Sequence, residues 1–464
     1  MRLAPRRAKT LLALSALTLA LTGCGGGGSE SDDGSITLTI AQNSIAGGKN
    51  SASAEWVQKW VIPRFEEAQK AAGRSVKVEF QANGVDDEQY KTKIALDLKS
   101  KRGADVIDLD GIWIGEFAQA GYIKPLNETA GAAVDSWDGW NQIPEAVQGL
   151  GTFDGKRYAV PVGTDGRVLF YNKELFAKAG LPTEWQPTSW QEIIDAGRAL
   201  KKLPDVTPIQ INAGTAMGEA TTMQGVLPLL AGAGSQVWSD GKWTGGSQAL
   251  KDVLDFYRTI YSEGLGDPQL QREAKGRDKS FAEFAEGKIG ILAEGDYFWR
   301  SVLDPDDGVA PMKNRDEAVG YALIPAKEPG AGVRGQDFVS MSGGSARVLN
   351  PFSRHPELAW ELLSFMHSAE GVQAELEFNG EARITARSDV NEKALADDPM
   401  LNFVAEKVLP ITSYRPPLAL YPQVSAALQE ATAEVIAGTA PDQAAADFQS
   451  KLEDIVGDAS EIAN

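Results

Sequence analysis

Residues 155–181 read GKRYAVPVGTDGRVLFYNKELFAKAGL. Taken alone, Tyr171-Asn172-Lys173 reads as a strand end followed by a helix start, and the chain on both sides repeats that alternation. Upstream, SITLTI puts Ile36, Leu38 and Ile40 on one face of a strand. A helix is predicted over Trp56–Ala72, ending near Gly73, and VKVEF then alternates Val76, Val78 and Phe80. A second helix is predicted over Glu88–Ser100, before ADVIDLD, an apolar run suited to a strand covered on both faces. Downstream, Ser189 with Glu192 forms a capping box, and Ser247 opens a helix with Leu250, Val253, Leu254, Tyr257 and Tyr261 on one stripe. Val424, Leu428, Ala431 and Val435 mark a further helix that stops at Gly438. Thr439 with Asp442 is expected to cap a last one carrying Ala444, Phe448, Leu452 and Ile455. Strands alternating with helices predict an α/β fold around largely parallel sheet.

The N-terminus reads differently. Arg2, Arg6, Arg7 and Lys9 precede LLALSALTLAL (Leu11–Leu21), which is too short to cross a hydrocarbon core of ~30 Å but suits the apolar part of an export signal. It runs into Leu21-Thr22-Gly23-Cys24, which resembles a bacterial lipobox, so Cys24 is expected to receive a lipid. Residues 1–23 are then the signal peptide, and residues 24–34, rich in Gly, Ser and acid, a flexible tether. Cys24 is the only cysteine, so the rest of the chain folds without a disulfide.

Without residues 1–23 the chain has 41 basic and 64 acidic side chains, a net charge of −23. Nucleic acid and anionic lipid surfaces reward a basic face, so neither is an expected partner. His355 and His367 are the only histidines, and no His-Glu-x-x-His, Gly-x-Ser-x-Gly or phosphate-loop pattern occurs. DPDDGVAPMKNRDE is a poor calcium loop, because Gly308 stands where its fifth position should supply oxygen. No metal, cofactor or catalytic group is expected.

The opening stretch, with its Tyr-Ala-x-Pro, Tyr-Asn-Lys and Ala-Gly-Leu, resembles the extracellular solute-binding proteins of ABC sugar importers, the broad family of maltose- and maltodextrin-binding proteins. Four further segments follow in family order: PTSWQEIIDAGRAL, FAEGKIGILAEGDYFW (Phe281–Trp299), VGYALIPAKEPG and NPFSRHPELAWELLSFMHSAEGVQ. The likeness spans roughly residues 36–456. It implies a two-lobed periplasmic-binding-protein-like fold of type II, with hinge-linked lobes and a ligand cleft between them. Residues 35–163 with 340–385 would form one lobe, and 168–337 with 388–464 the other. The implied protein is a monomer on the outer face of the bacterial cell membrane, delivering a sugar or oligosaccharide to an ABC permease. A non-sugar solute, or an exported carbohydrate hydrolase, is the alternative.

A sugar offers hydroxyls to planar donors and acceptors, and C–H faces to aromatic rings. The resemblance puts Asp165 at the position of a ligand-contacting glutamate beside the hinge, and Tyr297 and Tyr421 where relatives carry stacking tryptophans. Asp110 and Trp113 follow the buried strand and are expected to face the cleft, though Trp113 departs from the family's polar pattern. Asn43 and Ser44, just after the first strand, and Arg383 complete the candidate set. Trp56, Trp60, Trp137, Trp140 and Trp299 are expected to pack.

Overall fold

The computed structural model describes residues 35–463 apart from Ala274 and Glu381. The signal segment, Cys24 and the tether lie outside the described residues. Among those described, no helix is long and apolar enough to cross a membrane.

The strands that carry the architecture are β1 (Ile36–Gln42), β2 (Val76–Ala82), β3 (Val106–Asp110), β4 (Ala159–Thr164), β5 (Arg167–Asn172) and β6 (Thr207–Gln210). They continue with β7 (Ile289–Gly295), β8 (Val319–Ala322), β9 (Phe338–Ser342), β10 (Gly344–Leu349) and β11 (Thr412–Tyr414). One five-stranded sheet has the order β2-β1-β3-β10-β4, and one four-stranded sheet the order β8-β5-β7-β6. Parallel pairing holds for β1 with β2 and β3, and for β7 with β6. The other neighbours in these two sheets are antiparallel, so both are mixed rather than largely parallel. Antiparallel neighbours enter where the chain returns to a sheet without a crossover helix.

Local chemistry explains the elements. In β1, Leu38, Thr39, Ile40 and Ala41 are all buried, so both of its faces are covered and its alternation does not mark a wet face. The buried Asp105 carboxylate holds β1 to β3 by accepting from the Thr39 N–H at 2.8 Å and the Ser353 hydroxyl at 2.6 Å. β5 is buried throughout and ends in Asn172, whose side chain accepts from Leu175 N–H at 3.0 Å to open the helix Lys173–Lys178.

Two predicted caps differ in detail. Ser189 caps Trp190–Leu200, but Glu192 reaches back to the Thr188 N–H at 2.8 Å. The last helix is Pro441–Val456 with Ala440 at its N-cap, so Thr439 is not the cap. Pro441 takes the first helical position because it has no N–H to satisfy there.

Short extended links join the sheets: Asp165-Gly166 runs from β4 of the five-stranded sheet to β5 of the four-stranded one, and Gly343 alone joins β10 to β9, which pairs with β11 in a separate small sheet. Beside them, Thr385 forms an isolated antiparallel bridge to Gly163. Gly344 is required here. Its φ is +146°, and a Cβ on it would lie 2.2 Å from the Gly163 carbonyl oxygen.

Candidate functional site

β1 and β3 are parallel, so their C-terminal ends share one edge of the first sheet. β10 runs the other way and brings its first residues there, Ser345 opposite Asp110 and Gly344 opposite Thr164. A cavity of about 500 Å³ opens at this edge, lined by Asn43, Ser44, Asp108, Asp110, Trp113 and Arg383 among others. Beside it a cavity of about 250 Å³ is lined by Asp165, Asp296, Arg300, Glu375 and Arg383. Val162, Gly344, Ser345, Glu375, Asn379 and Arg383 border both, so the two form one cleft. Its wall includes Asp296 and Arg300 from the segment after β7 and residues of the first sheet. A third cavity, of about 520 Å³, is lined largely by apolar groups such as Leu227, Leu230, Met341 and Pro416. Convergent polar groups with displaced ionisation single out the strand-end cleft instead.

Four aspartates there are driven apart by their surroundings. Burial pushes Asp108 up to about 6, and Arg347, whose Nε lies 3.7 Å from Oδ2, only partly offsets it. Burial also pushes Asp296 up to about 6, aided by the Asp165 charge and opposed by Arg300 and Arg167. Asp110 is raised by burial, against the pull of the Ile112 N–H at 3.1 Å and of Arg415. Asp165 goes the other way. Burial raises it, but the Arg167 guanidinium and the Gly343 N–H at 2.6 Å outweigh that and hold the carboxyl below its usual range. Arg167 is 8% exposed, donates to Gln224 at 2.9 Å, and is tied to β9 through Ser340.

The structure thus brings Asp110, Trp113, Asn43, Ser44, Asp165 and Arg383 to one cleft. Their side chains are not equally free. Asn43 donates to Val85 O and Asp87, holding two loops together, and the Ser44 hydroxyl turns back to Gln42. Trp113 is buried at the cavity wall, with the Lys91 ammonium 5.9 Å from its ring centre. Tyr297 and Tyr421 line neither cavity of the cleft. Tyr297 is 37% exposed and packs with Phe281 and Arg277. Tyr421 is 1% exposed and gives its hydroxyl to Glu219 at 2.6 Å. The expectation of an open stacking face at Tyr421 is therefore corrected: in this conformation core packing covers the ring.

Sequence reasoning missed Asp108, Asp296, Arg300, Ser345 and Glu375. Asp296 directly precedes the predicted Tyr297, and Asp108 stands two residues before the predicted Asp110, so a reading of neighbours could have found both. Glu375 lies in the helix Ala369–Asn379 and carries no local mark of a site.

Residues 48–373 match the profile of the family described as bacterial extracellular solute-binding protein. A Brucella abortus (strain 2308) protein named as a binding protein is 24% identical over 364 residues, 78% of this chain and 76% of that one. The arabinooligosaccharide-binding protein of Halalkalibacterium halodurans is 25% identical over 301 residues, 62% of this chain and 60% of that one. Among solved structures, an ABC transporter solute-binding protein of Thermotoga lettingae with bound α-D-tagatose superposes with a TM-score of 0.61. It is 25% identical, over 91% of this chain and 100% of that one. The α/β, two-lobed fold class expected from the sequence is borne out. With its profile match covering most of the chain, this protein belongs to the bacterial extracellular solute-binding protein family.

Proposed function

We propose that this protein captures a sugar or oligosaccharide in the strand-end cleft and delivers it to an ABC permease, as a lipid-anchored monomer held through Cys24. It binds its solute without turning it over. The observation that carries the reading is the cleft's lining, with carboxylates and guanidinium groups for hydroxyls and the Trp113 ring for a C–H face. The bound tagatose of one relative and the arabinooligosaccharide named for another support the ligand class. The proposed lobes are residues 35–163 with 340–385, and 168–337 with 388–464. Sheet membership supports this partition, since β1 to β4 and β10 share one sheet and β5 to β8 the other.

Thermal melting of the protein with D-tagatose, arabinotriose, maltotriose, spermidine and glycerol 3-phosphate tests the ligand class. A ligand present at a hundred times its Kd should add about 2.7 kcal/mol of stability. Stabilisation by a sugar alone is expected. Stabilisation by spermidine or glycerol 3-phosphate alone would favour a non-sugar solute, and turnover of a nitrophenyl glycoside would make the protein a hydrolase.

A further inference from the structure

Asp296 is 1% exposed, yet its Oδ1 has no hydrogen-bond partner among the described residues. Its other oxygen faces Arg300, whose Nε lies 3.5 Å from Oδ2 and is itself buried without a hydrogen-bond partner among the described residues. Both side chains line the 250 Å³ cavity at the junction of the two sheets. An acceptor and a donor left without a hydrogen bond beside one small polar cavity is costly, because each has given up water without replacement. The backbone holds them there: Asp296 N–H donates to Gly166 O at 3.0 Å, and Asp296 O accepts from Trp299 and Arg300 N–H groups as the chain enters a wide π-helical turn, Phe298–Val302.

What could satisfy both atoms is restricted by chemistry. An ammonium group can serve Asp296 but only repels Arg300, and a carboxylate or phosphate does the reverse. A hydroxyl donates and accepts at once. We propose that Asp296 and Arg300 form the hydroxyl-reading pair of the cleft, Asp296 Oδ1 accepting from and Arg300 Nε donating to a sugar hydroxyl. This rests on the sugar reading above and adds to it the residues that select a neutral polyol over charged solutes.

The proposal carries a proton linkage. The charged groups facing Asp296 are Asp165 and Arg167 from the strand junction, Arg300 from its own turn, and Glu375 and Arg383 across the cavity. In the unliganded protein its carboxyl is raised to about 6, while the hydroxyl it accepts favours the ionised form. Sugar binding should therefore tighten as pH rises through 6 and release a proton below it.

Isothermal titration of the full chain in detergent, with D-tagatose, arabinotriose, maltotriose, spermidine and glycerol 3-phosphate at pH 5.0 and 7.5, tests this. The sugar that binds wild type should bind Asp296→Asn about 10- to 100-fold more weakly at pH 7.5. Its pH dependence should flatten in that variant. Arg300→Met should weaken the same sugar, and the double variant should lose less than the product of the two single effects. A sugar that binds wild type and both single variants alike, with the same pH profile, overturns the assignment of the pair and leaves the sugar reading intact. Binding of spermidine or glycerol 3-phosphate with no sugar bound, or no binding at all, overturns both.

Discussion

At the scale of single residues, Asp165 shows how one carboxylate can be both a site residue and a structural one. Its position beside the cleft invites a ligand, but its Oδ1 already accepts from both Arg167 and the Gly343 N–H. Replacing it with asparagine keeps an acceptor for Gly343 and leaves a nearly buried guanidinium without its counter-charge. Asp165→Asn should therefore lower the stability of the unliganded protein by about 2–3 kcal/mol at pH 7, read by urea denaturation. The carboxyl is depressed in the folded state, so its stabilisation is present above the ordinary carboxylate range and lost as pH falls through the lower folded value. Wild type and variant should converge in acid; equal stability at pH 7 would return Asp165 to the ligand alone. Asp296 has the opposite sign. Its carboxyl is raised to about 6, so ionising it costs stability as pH climbs from about 4 to 6. Asp296→Asn should raise the melting temperature of the unliganded protein at pH 7.5, by on the order of 2 kcal/mol of stability. A melting temperature lowered at that pH would contradict the buried-acid reading.

At the scale of elements, the links between the sheets carry the sharpest constraint. β9 and β10 are separated by Gly343 alone, and Gly344 approaches the β4 backbone so closely that any side chain collides with the Gly163 carbonyl. Its φ of +146° adds strain for any residue with a Cβ. Gly344→Ala should cost more than about 3 kcal/mol, or prevent soluble expression. Ala substitution at Gly73 is the control: its φ of +79° carries strain, but no atom lies within 4 Å of the added Cβ. Its cost should stay near 1 kcal/mol, and equal losses at both positions would remove the packing argument.

At the scale of the molecule, anchoring and capture are separable. If Cys24 carries the lipid, Cys24→Ala should move the protein from the membrane fraction to the soluble fraction, since ~0.8 kcal/mol per buried methylene over two acyl chains suffices for retention. Its melting curve with a bound sugar should be unchanged. Retention of Cys24→Ala after a salt wash would point to another anchor.

Much of the fold was legible in the sequence because its signals are local. The caps at Asn172 and Ser247, the strands from Ile36, Val76 and Val106, and the helix facing of Leu250, Val253 and Tyr257 depend on neighbours a few residues away. For the same reason Asn43, Asp110 and Trp113 could be picked as strand-end residues, and they do border one cleft. Thr439 was misread as a cap because Pro441 admitted a start one residue later. Sheet direction was not legible, since a return strand such as β10 has the same composition whether it pairs parallel or antiparallel. Nor was the fate of Tyr421, because a ring with a polar tip suits a core beside Glu219 as well as a binding wall. Only tertiary structure sets Asp296 against Asp165, 131 positions earlier, and leaves its Oδ1 without a partner among the described residues. Burial and the charges gathered by folding decide which carboxylates ionise, and neither exists until distant segments meet.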